Sequence, residues 1–113
     1  MSKPDIVLCA PVRTPIGSYG GALKDTPATV LGAAVVRETL RRAGLAPEAI
    51  ETVVLGHVIQ AGTRMNPARQ AAIDGGLPVQ VPALTVNRVC GSGAQAIASA
   101  ALEVAAGHAQ AAI

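Results

Sequence analysis

The sequence contains no Phe and no Trp, and its one aromatic residue is Tyr19. Its core must therefore be built from Ala, Val, Leu and Ile, side chains that each bury little area at about 25 cal/mol per Å². Charge is scarce as well: 14% of residues are Asp, Glu, Lys or Arg, against roughly 25% in ordinary soluble domains. Half of the 113 residues are hydrophobic, which excludes intrinsic disorder, because such a chain has enough apolar surface to collapse. The length fits one domain or one piece of a larger domain. With small side chains alone such a domain would be marginal, so part of its apolar surface is expected to meet cover from outside the sequence.

Strong charge of either sign is also missing. Net charge is +2, and three of the basic residues, Arg37, Arg41 and Arg42, fall on one expected helix. No basic stripe interleaves with aromatics, so there is no footprint for nucleic acid. Long uninterrupted apolar runs are absent too. Pro4 and Asp5 break the amino terminus, and Ile6 to Ala10 is too short for a signal-peptide core. Residues 94–113 are rich in alanine, but Gln95, Glu103, His108 and Gln110 recur through them at a density costly in a bilayer. No membrane association is expected. Cysteine is limited to Cys9 and Cys90, too few for a disulfide framework, which points to a reducing, cytoplasmic setting.

What is present reads as alternating strands and helices. Ile6 to Ala10 is a continuous apolar run of strand length, with Cys9 inside it as a core residue. Arg13 to Leu23 holds Pro15, Gly17, Gly20 and Gly21 and reads as a loop. Thr26 as N-cap and Pro27 at the first helical position open a helix to about Ala43, stopped by Gly44. Val36, Leu40 and Ala43 mark its inner face. Thr52 to Ile59 reads as a second strand. Asn66-Pro67 caps a short helix ending at Gly75-Gly76. A third strand runs through Leu84 and Val86, and Gly91 or Ser92 opens a helix to about Ala106, with Gly107 as its stop. Ala111 to Ile113 reads as the start of a fourth strand. The pattern is a layered α/β fold. The last helix carries a narrow polar stripe of Gln95, Ser99 and Glu103 and is expected to be buried between layers.

Cys90 carries the sharpest chemical signal. It lies between a strand and a helix in Asn87-Arg88-Val89-Cys90-Gly91-Ser92-Gly93. A thiol at a helix N-terminus meets the positive end of the dipole and unpaired N–H groups, both favouring thiolate. Gly91 and its neighbours allow close approach of a ligand, and the same N–H groups suit an oxyanion. Asn87, at the strand end, is placed to orient the turn through side-chain hydrogen bonds. From the residues alone two readings of Cys90 stand: a nucleophile, or a structural cysteine beside a glycine-assisted helix start. His57 and His108 read as structural, Arg13 as solvated, and Arg69 as a surface or subunit-contact residue. Gly17, Gly20 and Gly21 do not form a dinucleotide fingerprint, because no helix opens after them and the spacing is wrong.

Four stretches together resemble the thiolases: Val12-Arg13-Thr14-Pro15-Ile16-Gly17, Gly20-Gly21, Asn66-Pro67-Ala68-Arg69-Gln70-Ala71-Ala72, and Asn87 through Gly93. The resemblance spans essentially the whole chain and aligns it with the amino-terminal end of a much longer enzyme. It implies that residues 1–113 are the first part of a thiolase N-terminal domain, an incomplete mixed-sheet α/β fold, with the carboxy-terminal domain outside the sequence. It also implies acyl-CoA acyltransfer, in which two acyl-CoA molecules condense to a 3-ketoacyl-CoA or the reverse thiolysis runs, as in fatty acid metabolism.

In that chemistry Cys90 takes the acyl group as a thioester. No metal or bound cofactor is implied, because coenzyme A arrives as part of the substrate. The full-length protein is expected to be a homo-oligomer, dimer or tetramer. The family's activating histidine, oxyanion asparagine and second cysteine come from a carboxy-terminal region absent here. Val58 and Ala109 follow His57 and His108 where the family's histidine motif has proline. The alternatives are a ketoacyl-synthase-type condensing enzyme taking a carrier-protein substrate, a Cys hydrolase, and a non-catalytic piece serving only folding or dimerisation.

Overall fold

The computed structural model describes residues 5–113. In chain order the elements are α1 (Ala28–Ala43), a short 3-10 turn (Pro47–Ala49), β1 (Val53–Gly56), α2 (Pro67–Asp74), β2 (Ala83–Val86) and α3 (Ser92–Ala105). β1 and β2 pair in parallel, Val53 opposite Ala83 through Gly56 opposite Val86. The connection between them is α2, so the centre of the chain is one strand–helix–strand crossover.

The end of the chain lies along the other side of β1. Thr52 bridges Ala112 in parallel. The Val54 N–H donates to the Ile113 carbonyl at 2.7 Å, and the Ile113 N–H donates to the Thr52 carbonyl at 3.1 Å. The start of a strand at residues 111–113, expected from sequence, is thus present, and β1 lies between it and β2.

Alternate residues of β1 face opposite layers, as the pleat requires. Val53 packs with Val36 and Leu40 of α1, Ala72 of α2, and Ile50, Leu77 and Val81, and Leu55 lies against this cluster. On the other face Gly56 meets the first turn of α3. Two helices therefore cover one side of the sheet and α3 the other. α1 and α2 approach closely because small residues line their contact. A Cβ on Gly32 would lie 2.9 Å from that of Ala71, and one on Gly75 would lie 2.7 Å from Val36 Cγ1. Small side chains bring the backbones together where aromatics would hold them apart.

The expected helix punctuation is largely as found. Gly44 ends α1 in the left-handed conformation, φ 65°, with Arg41 and Arg42 in the last turn, where positive charge suits the dipole. Gly107 follows α3 with φ 77°. Three expectations need correction. Thr26 does not cap α1: Pro27 occupies that position, no side chain caps it, and the Thr26 N–H is held by the Leu23 carbonyl in the preceding turn.

Residues 6–10 form no strand. A strand needs a ladder partner, and none of the described residues supplies one, so Val7 and Leu8 are 77% and 76% exposed. Cys9 is accordingly exposed and not a core residue. Finally, α3 is not enclosed. Its polar stripe is the half-covered side, with Gln95 Nε2 donating to Ser99 Oγ at 2.9 Å. Ile97 and Leu102 are open to solvent at 54% and 67%.

Candidate active site

The site stands where β2 ends and α3 begins, at the carboxyl ends of the parallel strands, the side on which open α/β sheets bind ligands. Cys90 is exposed on the turn between these two elements, its thiol free. The turn is held from three directions.

Asn87 anchors it from the strand side. Its Oδ1 accepts the Val89 N–H at 3.0 Å, an Asx turn across two residues. Its Nδ2 donates to the Val58 carbonyl at 3.0 Å, tying the turn to the segment after β1. His57 is part of the same seam: its N–H donates to the Val86 carbonyl at 3.0 Å, extending the β1–β2 ladder by one step.

Ser92 anchors the turn from the helix side. It is 3% exposed, and its hydroxyl works in both directions. Oγ accepts the Arg88 N–H at 2.9 Å and donates to the Val89 carbonyl at 2.6 Å. Backbone bonds close the same loop: Gly91 N–H donates to the Arg88 carbonyl and Ser92 N–H to the Val89 carbonyl. The Gly91 N–H is therefore spent within the turn. The Cys90 N–H has no acceptor among the described residues and is a donor left beside the thiol.

The third constraint is steric. A Cβ on Gly56 would lie 2.5 Å from the carbonyl carbon of Ser92 and 2.8 Å from the Gly93 nitrogen. Only glycine lets the first turn of α3 settle against the end of β1. Within this clamp Val89 takes φ 48°. That is the left-handed region, unusual for a β-branched residue and worth about 1–3 kcal/mol of strain. α3 carries no acidic residue in its first turn, so nothing offsets the positive end of its dipole next to Cys90.

Further back, Asn66 fixes the base of β2. It sits in the left-handed region as the N-cap of α2 and accepts the Arg69 N–H. Its Oδ1 also accepts the Thr85 hydroxyl at 2.7 Å, and its Nδ2 donates to the Ala83 carbonyl at 2.9 Å. Thr85 Oγ1 in turn accepts the Ala68 N–H at 3.0 Å. Arg69, read from sequence as a surface or subunit-contact residue, reaches inward. Its guanidinium donates to the carbonyls of Val81 at 2.7 Å and Val79 at 2.8 Å, pinning the loop that enters β2.

The remaining sequence candidates lie apart from this constellation. Arg13 donates only to the neighbouring Thr14 carbonyl, on the surface. His108 meets Glu103 at 3.1 Å at the far end of α3. No group of three or more His, Cys, Asp or Glu gathers for a metal ion, and no helix is long and apolar enough to cross a membrane, among the described residues.

An exposed cysteine on a strained strand-to-helix turn, opening a Cys-Gly-Ser-Gly stretch, marks the site. Residues 6–113 match the model of the thiolase N-terminal domain, and the chain belongs to the thiolase family. Among its relatives is the acetyl-CoA acetyltransferase of Cupriavidus necator. It is 49% identical over 106 residues, which are 94% of this chain and 27% of that protein. A probable acetyl-CoA acyltransferase of Staphylococcus aureus is 54% identical over 92 residues, 81% of this chain and 23% of that protein. The crystal structure of the Bacillus anthracis acetyl-CoA acetyltransferase superposes with a TM-score of 0.83 at 43% identity, covering 87% of this chain and 25% of that one. The chain thus spans about a quarter of the length of the curated relatives it matches.

Proposed function

We propose that this chain is the nucleophile-bearing amino-terminal part of a thiolase-type acyl-CoA acyltransferase. The observation that carries the reading is Cys90, an exposed thiol on a rigidly held turn at the N-terminus of α3, in a chain of this family. The sulfur attacks the thioester carbonyl of one acyl-CoA, coenzyme A leaves as its thiol, and the acyl group stays on Cys90. A second acyl-CoA, deprotonated at the carbon next to its own thioester, attacks that acyl group, releasing Cys90 and forming the 3-ketoacyl-CoA. Thiolysis is the same path reversed. The negative charge that builds on the thioester oxygen needs donors already in place. The Cys90 N–H, without an acceptor among the described residues, suits that task.

Asn87 and Gly91 serve the turn and not the acyl group, a division supported by their hydrogen bonds to Val58, Val89 and Arg88. No metal or bound cofactor enters this scheme, since coenzyme A is part of the substrate. The general base and the proton shuttle come from residues outside this sequence. The exposed apolar face of α3, with Ile97 and Leu102, supports cover by further protein in a full-length homo-oligomer. The two free thiols support a reducing, cytoplasmic setting.

The test is turnover in the full-length protein with acetyl-CoA. Cys90→Ser is expected to abolish acyl exchange, because a hydroxyl is a poor nucleophile without strong base assistance. Cys9→Ser is expected to leave it unchanged. Acyl exchange surviving Cys90→Ser would refute the reading. Turnover only with acyl groups on a carrier protein would move the chain to the ketoacyl-synthase-type alternative.

A further inference from the structure

Val89 and Ser92 make a pair whose arrangement goes beyond the placement of Cys90 on a turn. Four non-glycine residues among those described have positive φ: Ala10, Arg64, Asn66 and Val89. Val89 is the β-branched one, so its side chain crowds its own backbone most in that region. It immediately precedes Cys90, so its φ and ψ set the direction in which the next residue leaves the turn. An unrestrained valine would return to the extended or right-handed regions and carry Cys90 with it.

The group that opposes this return is the Ser92 hydroxyl. It spans Arg88 and Val89, accepting the N–H of the Asn87–Arg88 peptide at 2.9 Å and donating to the carbonyl of the Val89–Cys90 peptide at 2.6 Å. Ser92 is 3% exposed, so its hydroxyl is shielded from water, and losing it leaves the Arg88 N–H without its acceptor and the Val89 carbonyl with the Ser92 N–H alone. Gly56 packs against the Ser92 backbone from below, so the hydroxyl is fixed relative to β1 as well as to α3.

We propose that Ser92 is a positioning residue for Cys90: its hydroxyl holds Val89 in the left-handed conformation and thereby presents the thiol at the N-terminus of α3. The inference rests on Cys90 being the acylated thiol, but its mechanism is a property of the turn and can be read without acyl transfer.

The test is a double-mutant cycle on the full-length protein in a Cys9→Ser background, with the rate at which iodoacetamide alkylates the Cys90 peptide, followed by mass mapping, as readout. Glycine adopts positive φ without steric penalty, so in a Val89→Gly chain the turn no longer needs its clamp. Ser92→Ala in the Val89 chain is expected to slow alkylation on the order of tenfold. In the Val89→Gly chain the same change is expected to have little effect, giving strong non-additivity. If Ser92→Ala alone prevents folding, Val89→Gly is expected to restore the fold, followed by amide exchange across α3. Equal slowing in both backgrounds, no slowing in either, or loss of the fold in both would overturn the proposal, since each places the role of Ser92 elsewhere than on Val89. Acyl exchange surviving Cys90→Ser would instead remove the functional reading and leave the coupling of Ser92 to Val89 intact.

Discussion

Gly56 and Ser92 touch through their backbones: a Cβ built on Gly56 would lie 2.5 Å from both the carbonyl carbon and the carbonyl oxygen of Ser92. This contact joins the end of β1 to the first turn of α3, and the Cys90 turn rests on it. The atoms in the way are main chain, with no flexible end to move aside. Gly56→Ala must therefore shift α3 or bend β1. Overpacking of this kind costs about 1–3 kcal/mol. Urea denaturation is expected to show a loss of that size, with slower alkylation of Cys90 in the folded fraction. Unchanged stability together with unchanged alkylation would show that the contact does not set the turn.

Asn66 offers a second lever, further from the thiol. It caps α2 and bonds to Ala83 and Thr85 on β2. Asn66→Ala removes the cap and strands the Thr85 hydroxyl. An N-cap alone is worth about 0.5–2 kcal/mol, and the added links to β2 place this variant at the upper end. Asn66→Asp retains the acceptor for the Arg69 N–H and the Thr85 hydroxyl but loses the donor to Ala83. It is expected to fall between the wild type and Asn66→Ala in chemical denaturation.

The charged face of α1 predicts an acid-range effect. Hydrogen bonds from Arg41 and then Arg42 hold the Glu38 carboxyl down to about 2, below its ordinary 4.5. Its folded pKa is depressed, so the stabilisation it brings is present above pH 4.5 and is lost as pH falls through about 2. The pair lies on the surface, where salt screens it. Following the Glu38 side-chain carboxyl by NMR should place its midpoint near the bottom of that window at low salt and move it upward in high salt. A midpoint at the ordinary value would show that Arg41 and Arg42 do not hold it in solution.

Much of the fold is legible in the sequence because it is written in local punctuation. Asn66-Pro67, Gly44 and Gly107 mark helix ends by backbone chemistry that needs no partner. The parallel pair β1–β2 and the edge at residues 111–113 follow from short apolar runs separated by helices. Pairing is a different matter. Ile6 to Ala10 has the composition of a strand covered on both faces, yet strand formation depends on a neighbour, and composition does not say whether one is within reach.

The same distinction divides the site. Cys90 and the glycines around it announce themselves by spacing. The inward fork of Arg69 ends on carbonyls of Val79 and Val81, and carbonyls have no sequence signature. Val89 and Ser92 stayed silent for a related reason: a valine in the left-handed region contradicts its own propensity, and only the tertiary clamp makes it possible. The nearest signal was the Ser two residues after Cys90, which reads as an ordinary helix-start residue. On α3 the stripe of Gln95, Ser99 and Glu103 looks like a wet face by periodicity alone. It is half covered in the fold, while Ile97 and Leu102 are the residues left open.

The central claim is that Cys90 receives the acyl group, and trapping that adduct tests it most directly. Full-length protein is mixed with acetyl-CoA, quenched in acid to preserve thioesters, digested and mapped by mass spectrometry. The predicted result is one acetyl group on the peptide holding Cys90, removed by added coenzyme A, with Cys9 unmodified. Acetyl on Cys9, or no acetyl on Cys90 while coenzyme A is being released, would contradict it.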